Sequence, residues 1–223
     1  MSSPFPAPLL ERFRRTAAVA VVIIDDPERA EPLAQALLKG GIDLVELTLR
    51  TPGALESMRR IRRAFPAIGL GAGTILRPDQ VAEVVDAGAE FGVAPGLNPS
   101  VVVAAQKSGL PFAPGICTPS EIERALELGC RLLKFFPAES LGGIRHLKVT
   151  TSPYNHLAVD YIPLGGITRQ NAEGYLREPS VIALGGSWIA PREAIAAGDW
   201  DRVEANARAV AELVGTIRGD TLK

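Results

Sequence analysis

Short runs of valine, isoleucine and leucine alternate with amphipathic stretches along nearly the whole chain. The apolar runs Val19–Ile24, Ile42–Leu47, Ile68–Gly71, Phe91–Ala94, Pro111–Ala113, Leu132–Phe135, Val159–Pro163 and Val181–Leu184 predict eight strands. They read as continuous rather than alternating, as parallel strands covered on both faces do. The stretches Glu28–Lys39, Ala54–Ala64, Pro78–Ala87, Pro99–Ser108, Pro119–Leu128, Gln170–Leu176 and Asp201–Ile217 carry helical periodicity. Proline opens several of them, at the helical position where a missing N–H costs nothing. Gly40, Gly88, Gly109 and Gly129 follow others, as C-terminal caps do. Leu141–Leu157 is the least regular segment and predicts a short helix plus a loop.

Strand and helix alternating over 223 residues predict an α/β fold, a single (β/α)8 TIM barrel forming one domain over 1–223. An open doubly wound sheet is the competing architecture. It would want Gly-x-Gly-x-x-Gly after the first strand, where Asp25-Asp26-Pro27 stands instead.

Composition narrows the class. A net charge of −1 gives no global field to recruit nucleic acid or an anionic membrane. No apolar run approaches the roughly 20 residues of a membrane span. The start of the chain lacks the basic and apolar regions of a secretory signal, and a cytoplasmic protein is expected. Cys117 and Cys130 lack CxxC spacing and predict reduced thiols, with a disulfide as the lesser alternative.

In a barrel of this kind, chemistry gathers where strands end and the following loops begin. Those ends here are rich in polar residues and glycine: Glu46 to Arg50, Gly71-Ala72-Gly73-Thr74, Pro95-Gly96, Pro114-Gly115, Lys134 with Phe136, Gly165-Gly166 and Gly185-Gly186-Ser187. Side chains alternate along a strand, so Leu132, Lys134 and Phe136 face one way and Leu133 and Phe135 the other. An amine in so apolar a setting loses hydration, which favours the neutral form that carbonyl addition requires. The alternative is a lysine that snorkels to solvent or pairs with a buried carboxylate.

Glu46 shares a face with Leu44 and Thr48. It can act as general base or proton shuttle, or form a structural ion pair with Lys134 or Arg50; the two roles do not exclude each other. The Arg50 guanidinium and the Thr74 hydroxyl suit a substrate carboxylate, with a solvated loop arginine as the alternative. The glycine pairs after the seventh and eighth strands suit a phosphate, because exposed backbone N–H groups can approach an anion closely there; two tight turns are the alternative.

Other features are less promising. His146 and His156 lack neighbours at metal-ligand spacing and predict surface or loop histidines, and no metal is expected. The run Arg59-Arg60-Ile61-Arg62-Arg63 predicts a solvated helix face, without the aromatic interleaving that favours nucleic acid. Asp25 and Asp26 predict helix caps.

Taken in order, Val45-Glu46-Leu47-Thr48-Leu49-Arg50-Thr51, Gly71-Ala72-Gly73-Thr74, Pro95-Gly96-Leu97, Pro114-Gly115-Ile116, Lys134-Phe135-Phe136-Pro137-Ala138-Glu139, Gly165-Gly166-Ile167 and Gly185-Gly186-Ser187-Trp188 resemble the bacterial 2-keto-3-deoxy-6-phosphogluconate (KDPG) aldolase family over nearly the whole chain. The resemblance implies a class I aldolase of the Entner–Doudoroff pathway. Lys134 would form the Schiff base and Glu46 would handle protons. Arg50 and Thr74 would hold the pyruvate carboxylate, while Pro95 and Phe136 pack around the pyruvyl group. Gly165, Gly166, Gly185, Gly186 and Ser187 would approach the phosphate. It further implies a homotrimer acting on a keto-acid phosphate, without a cofactor beyond the covalent lysine imine, and in many members activity on 4-hydroxy-2-oxoglutarate.

The family usually reads Pro-Thr-Gly-Gly after the seventh strand, where this chain has Pro163-Leu164-Gly165-Gly166. Leucine can neither donate nor accept a hydrogen bond near the substrate C4 hydroxyl. The same chemistry on the C4 epimer, 2-keto-3-deoxy-6-phosphogalactonate, therefore stays open. So do unphosphorylated 4-hydroxy-2-oxoglutarate and, in another class, a non-catalytic sugar-phosphate-binding barrel. A metal-dependent aldolase or decarboxylase would need a ligand cluster that the sequence does not offer.

Overall fold

A computed structural model of the chain describes residues 5–219. The strands are β1 (Ala18–Val22), β2 (Leu44–Thr48), β3 (Gly69–Gly73), β4 (Phe91–Val93), β5 (Phe112–Ala113), β6 (Gly115–Ile116), β7 (Leu132–Phe135), β8 (Asp160–Pro163) and β9 (Leu184–Gly186). The helices are α1 (Ala7–Thr16), α2 (Ala30–Lys39), α3 (Ala54–Ala64), α4 (Asp79–Asp86), α5 (Pro99–Lys107), α6 (Pro119–Glu127), α7 (Gly143–Thr151), α8 (Ala172–Leu176), α9 (Arg192–Ala197) and α10 (Trp200–Gly219). The result is an α/β fold whose strand pairs are all parallel. Six strands run in the order β5-β4-β3-β2-β1-β9, and three in the order β6-β7-β8.

Two expected strands change form. The fifth, expected at Pro111–Ala113, resumes at Gly115–Ile116 beyond Pro114, which has no N–H for a ladder. Its first half pairs with β4 and its second half with β7. The eighth, expected at Val181–Leu184, moves on to Leu184–Gly186. Val181 makes only an isolated bridge to Tyr161, and Ile182 N–H donates to the Tyr161 carbonyl at 3.1 Å. Leu184 N–H then donates to Ala17 and enters the β1 ladder. This segment crosses from one sheet to the other.

The alternation expected on β2 and β7 is present. Leu44 and Leu132 belong to a cluster shared by strands of both sheets, with Val19, Phe91, Val93 and Ile162. Val45, Leu47, Leu133 and Phe135 belong to the larger cluster between strands and helices. Helix α1, which periodicity did not single out, packs Leu9 and Phe13 into the inner cluster. Phe13 meets the Phe91 ring edge-on at 5.1 Å. Burying a side chain of that size contributes roughly 1.5–3 kcal/mol. The helix is tied to the start of β2 by Thr16 and Arg15, both bonded to the Asp43 carboxylate. It therefore closes the strand ends opposite to Lys134 and Glu46.

Proline openings hold at α5 and α6. Asn98 and Thr118 cap these helices, and Thr118 forms a capping box with Glu121. Leu141–Leu157 is more ordered than expected: α7 is followed by a 3-10 helix over Ser152–Leu157. Its Leu147, Thr150, Thr151 and Tyr154 are buried, a pattern that threonines disguise in the sequence. Asp26 caps a short 3-10 turn through Glu28 N–H, whereas Asp25 pairs with Arg192. Both cysteines are free thiols. Among the described residues, no helix is long and apolar enough to cross a membrane.

Candidate active site

Lys134 on β7 and Glu46 on β2 lie in different sheets, yet Lys134 Nζ donates to Glu46 Oε1 at 2.8 Å. Lys134 is 5% exposed and Glu46 3%. Taking each ion out of water costs several kcal/mol, and a single good contact seldom repays both. Such a pair is weak as a stabilising device, which leaves its chemistry as the reason to keep it. The two arrive together because inward alternation aims both at the same side. Lys134 is opposite Gly115 and Ile162 in its ladders; Glu46 is opposite Val21 and Gly71. Gly73 makes room for the carboxylate: a Cβ there would lie 2.2 Å from Glu46 Oε1 and 2.8 Å from Cδ.

The pair opens into a cavity of about 750 Å³, including open solvent. Arg50, Phe136, Leu164, Gly165, Gly166, Gly185, Gly186 and Ser187 line it, together with Val21, Ile23, Thr48 and Ile167. Lys134 Nζ stands 5.7 Å from the centre of the Phe136 ring. The Arg50 guanidinium is exposed at the cavity wall and has no carboxylate partner among the described residues. Thr48 Oγ1 is committed to the Val22 carbonyl at 3.1 Å. Gly165 and Gly166 take φ values of 97° and 79°, which favour glycine, and the loop folds against Pro137 and Glu139. Leu164 is buried and packs over Gly185.

The KDPG and KHG aldolase family model matches residues 9–206. The chain belongs to this family. It is 43% identical over 209 residues to the 2-dehydro-3-deoxy-phosphogluconate aldolase of Treponema pallidum, covering 94% of this chain and 99% of that one. It is 41% identical over 194 residues to the KHG/KDPG aldolase of Escherichia coli K12, covering 87% and 90%. Among solved structures, the KDPG aldolase of Legionella pneumophila, with pyruvate captured at low pH as a covalent carbinolamine intermediate, superposes with a TM-score of 0.86. That protein is 40% identical, with 90% of this chain and 97% of that one covered.

Ten of the twelve residues expected at the site line the cavity; Thr74 and Pro95 do not. Thr74 follows Gly73 in a left-handed conformation, φ 61°, uncommon for a β-branched residue. Pro95 presses its carbonyl on Gly115, where a Cβ would meet that oxygen at 2.2 Å. Both stand at the ends of the β3 and β4 side, flanking the cavity without forming its wall. Val21 and Ile23 receive no site role from the sequence because apolar strand residues carry no local mark of which face they present, and Ile167 enters only within the Gly165-Gly166-Ile167 motif. The alternation counted from Val19 would have placed the first two.

His146 departs from its expectation. It is half-buried on α7, stacked on Phe135 at 5.8 Å, with Nε2 at 3.3 Å from both the Cys117 carbonyl and Thr150 Oγ1. His156 is exposed as expected. Along α3, Arg59, Arg60 and Arg62 are paired with acidic side chains including Asp86, Glu28 and Glu90. No group of three or more His, Cys, Asp or Glu able to hold a metal lies among the described residues.

Proposed function

We propose that this chain is a class I aldolase cleaving KDPG to pyruvate and glyceraldehyde 3-phosphate through an imine on Lys134. The carrying observation is the buried Lys134–Glu46 contact at 2.8 Å, opening on a cavity with the exposed Arg50 guanidinium and a glycine loop in its wall. Proton transfer from Lys134 Nζ to Glu46 leaves an amine that adds to the C2 ketone. Glu46 returns that proton to the departing hydroxyl, so the carbinolamine loses water, becomes an iminium and leaves Glu46 ionised again. Glu46, directly or through a water, takes the C4 hydroxyl proton, and the C3–C4 electron pair flows into the iminium. The aldehyde leaves, the enamine is protonated at C3, and water hydrolyses the iminium to pyruvate and free lysine. Arg50 suits the carboxylate, with Thr74 and Pro95 as outer supports, Phe136 covers the pyruvyl group, and the glycine loops with Ser187 suit the phosphate.

The eight-stranded closed barrel, as one domain, is part of the same proposal. It is supported by the continuity of β5 and β6 across Pro114, the Tyr161–Val181 bridge and the inner cluster drawn from both sheets. A homotrimer is the assembly that the family resemblance implies. Light scattering at micromolar concentration tests it. A cytoplasmic location accords with a catabolic sugar-acid substrate.

Borohydride reduction with pyruvate, followed by peptide mass spectrometry, tests the mechanism. The adduct is expected on Lys134 and absent in Lys134→Ala; an adduct elsewhere, or full activity in that variant, refutes it. Leu164 bears on the C4 preference, because its buried side chain offers no hydrogen bond to a C4 hydroxyl in either configuration. Comparing cleavage of the gluconate and galactonate phosphates, with Leu164→Thr alongside, measures that preference.

A further inference from the structure

The loop after β8 has each of its first three carbonyls anchored away from the cavity. The Leu164 carbonyl accepts from Ala138 N–H at 2.7 Å, and that of Gly165 from Glu139 N–H at 3.0 Å. The Gly166 carbonyl accepts from Asn171 Nδ2 at 3.1 Å. Asn171 works in both directions, since its Oδ1 also accepts from Thr168 N–H at 2.8 Å. A trans peptide unit is planar, with its N–H opposite its C=O, so anchoring one carbonyl aims the next residue's N–H. Ala138 thereby aims the N–H of Gly165, Glu139 that of Gly166, and Asn171 that of Ile167. These three N–H groups have no partner among the described residues, and all three residues line the cavity. Three unpaired donors on consecutive residues of the cavity wall suit an anion. Of the three anchors, only Asn171 acts through its side chain.

We propose that Asn171 is a positioning residue for the phosphate end of the substrate. By bridging Gly166 and Thr168 it holds the Ile167 N–H, and with it the curl of the loop, ready for an anion. Asn171 itself lies outside the cavity wall and touches no reacting atom. This role rests on the proposed cleavage of a phosphorylated keto acid. It concerns recognition of the phosphate and leaves the carbon–carbon step to Lys134 and Glu46.

The test is steady-state pyruvate release by Asn171→Ala with KDPG and with unphosphorylated 4-hydroxy-2-oxoglutarate, and inhibition of the latter reaction by inorganic phosphate. Loss of one well-aimed donor to an anion is expected to raise KM for KDPG about tenfold. The inhibition constant for phosphate should rise in step. Values of kcat/KM on the unphosphorylated acid, and the yield of borohydride-trapped pyruvate, should stay within about twofold of the parent, since the effect is confined to the loop. Should Asn171→Ala not fold, Asn171→Ser carries the same test. Its shorter side chain stays polar but falls short of the Gly166 carbonyl, so the anchor on that carbonyl is lost. Equal losses on both substrates, or no change on either, would overturn the role of Asn171. A parent enzyme that traps pyruvate but does not cleave KDPG would instead overturn the substrate reading on which that role stands.

Discussion

Replacing Lys134 by methionine and Glu46 by glutamine, singly and together, separates what the pair does for stability from what it does for catalysis. The two side chains are 5% and 3% exposed and 2.8 Å apart. Removing either partner leaves a buried group without its counter-charge, at about 3–5 kcal/mol. For a chain of this length, each kcal/mol shifts Tm by roughly 2–4 °C, so each single variant should melt roughly 6–20 °C lower. The open cavity beside the pair admits water and favours the lower part of that range. Removing both charges with side chains of similar volume abolishes the desolvation cost along with the attraction. The double variant should match the parent or exceed it by about 1–4 kcal/mol.

Urea unfolding followed by circular dichroism gives the coupling energy directly. Activity should show the opposite pattern. Lys134→Met and the double variant should trap no pyruvate, and Glu46→Gln should trap it while turnover falls about 10²–10⁴-fold. Additive destabilisation in the double variant would refute the coupling, and pyruvate release by Lys134→Met would refute the chemistry.

Three further outcomes follow from the geometry. Gly73→Ala places a methyl within 2.2 Å of Glu46 Oε1, so the carboxylate must move. A shift of that kind should cost about 10²-fold in kcat, with about 1–3 kcal/mol lost in stability; an unchanged kcat would show that Glu46 need not hold its place. Arg50→Ala should leave stability within about 0.5 kcal/mol, the guanidinium having no carboxylate partner among the described residues, yet raise KM for pyruvate in the reverse reaction about 10–100-fold. An unaltered KM would remove Arg50 from carboxylate binding. Burial pushes the Cys130 thiol from 9.0 up to about 11, only partly offset by Arg131. The folded state therefore holds that proton more tightly, and the associated stability is present below pH 9 and lost as pH rises through about 11. Disulfide-exchange reagents at pH 8 should label Cys130 only after urea unfolding, and rapid labelling of the native protein would contradict this burial.

The sequence carried the repeat of strand and helix, because parallel strands buried on both faces must be apolar throughout and their helices must be amphipathic. It also carried Lys134 and Glu46, since a charged residue within such a strand stands out against its neighbours. Local pattern could not show that Pro114 splits the fifth strand between two sheets. Nor could it show that Val181 bridges to Tyr161 before the chain reaches β1, because both depend on partners remote in sequence. Helix α1 escaped notice because its inward stripe is short and gains meaning only against Phe91.

The site divides in the same way. Residue identity marked Arg50 and the glycine pairs as candidates for anion contacts. Which ones line the cavity depends on how the strand ends are assembled in space: Ile167 stands in the wall, and Thr74 and Pro95 do not. The 2.8 Å contact between Lys134 and Glu46 is tertiary in origin: 88 residues separate them, and two sheets must face one another before the amine meets the carboxylate.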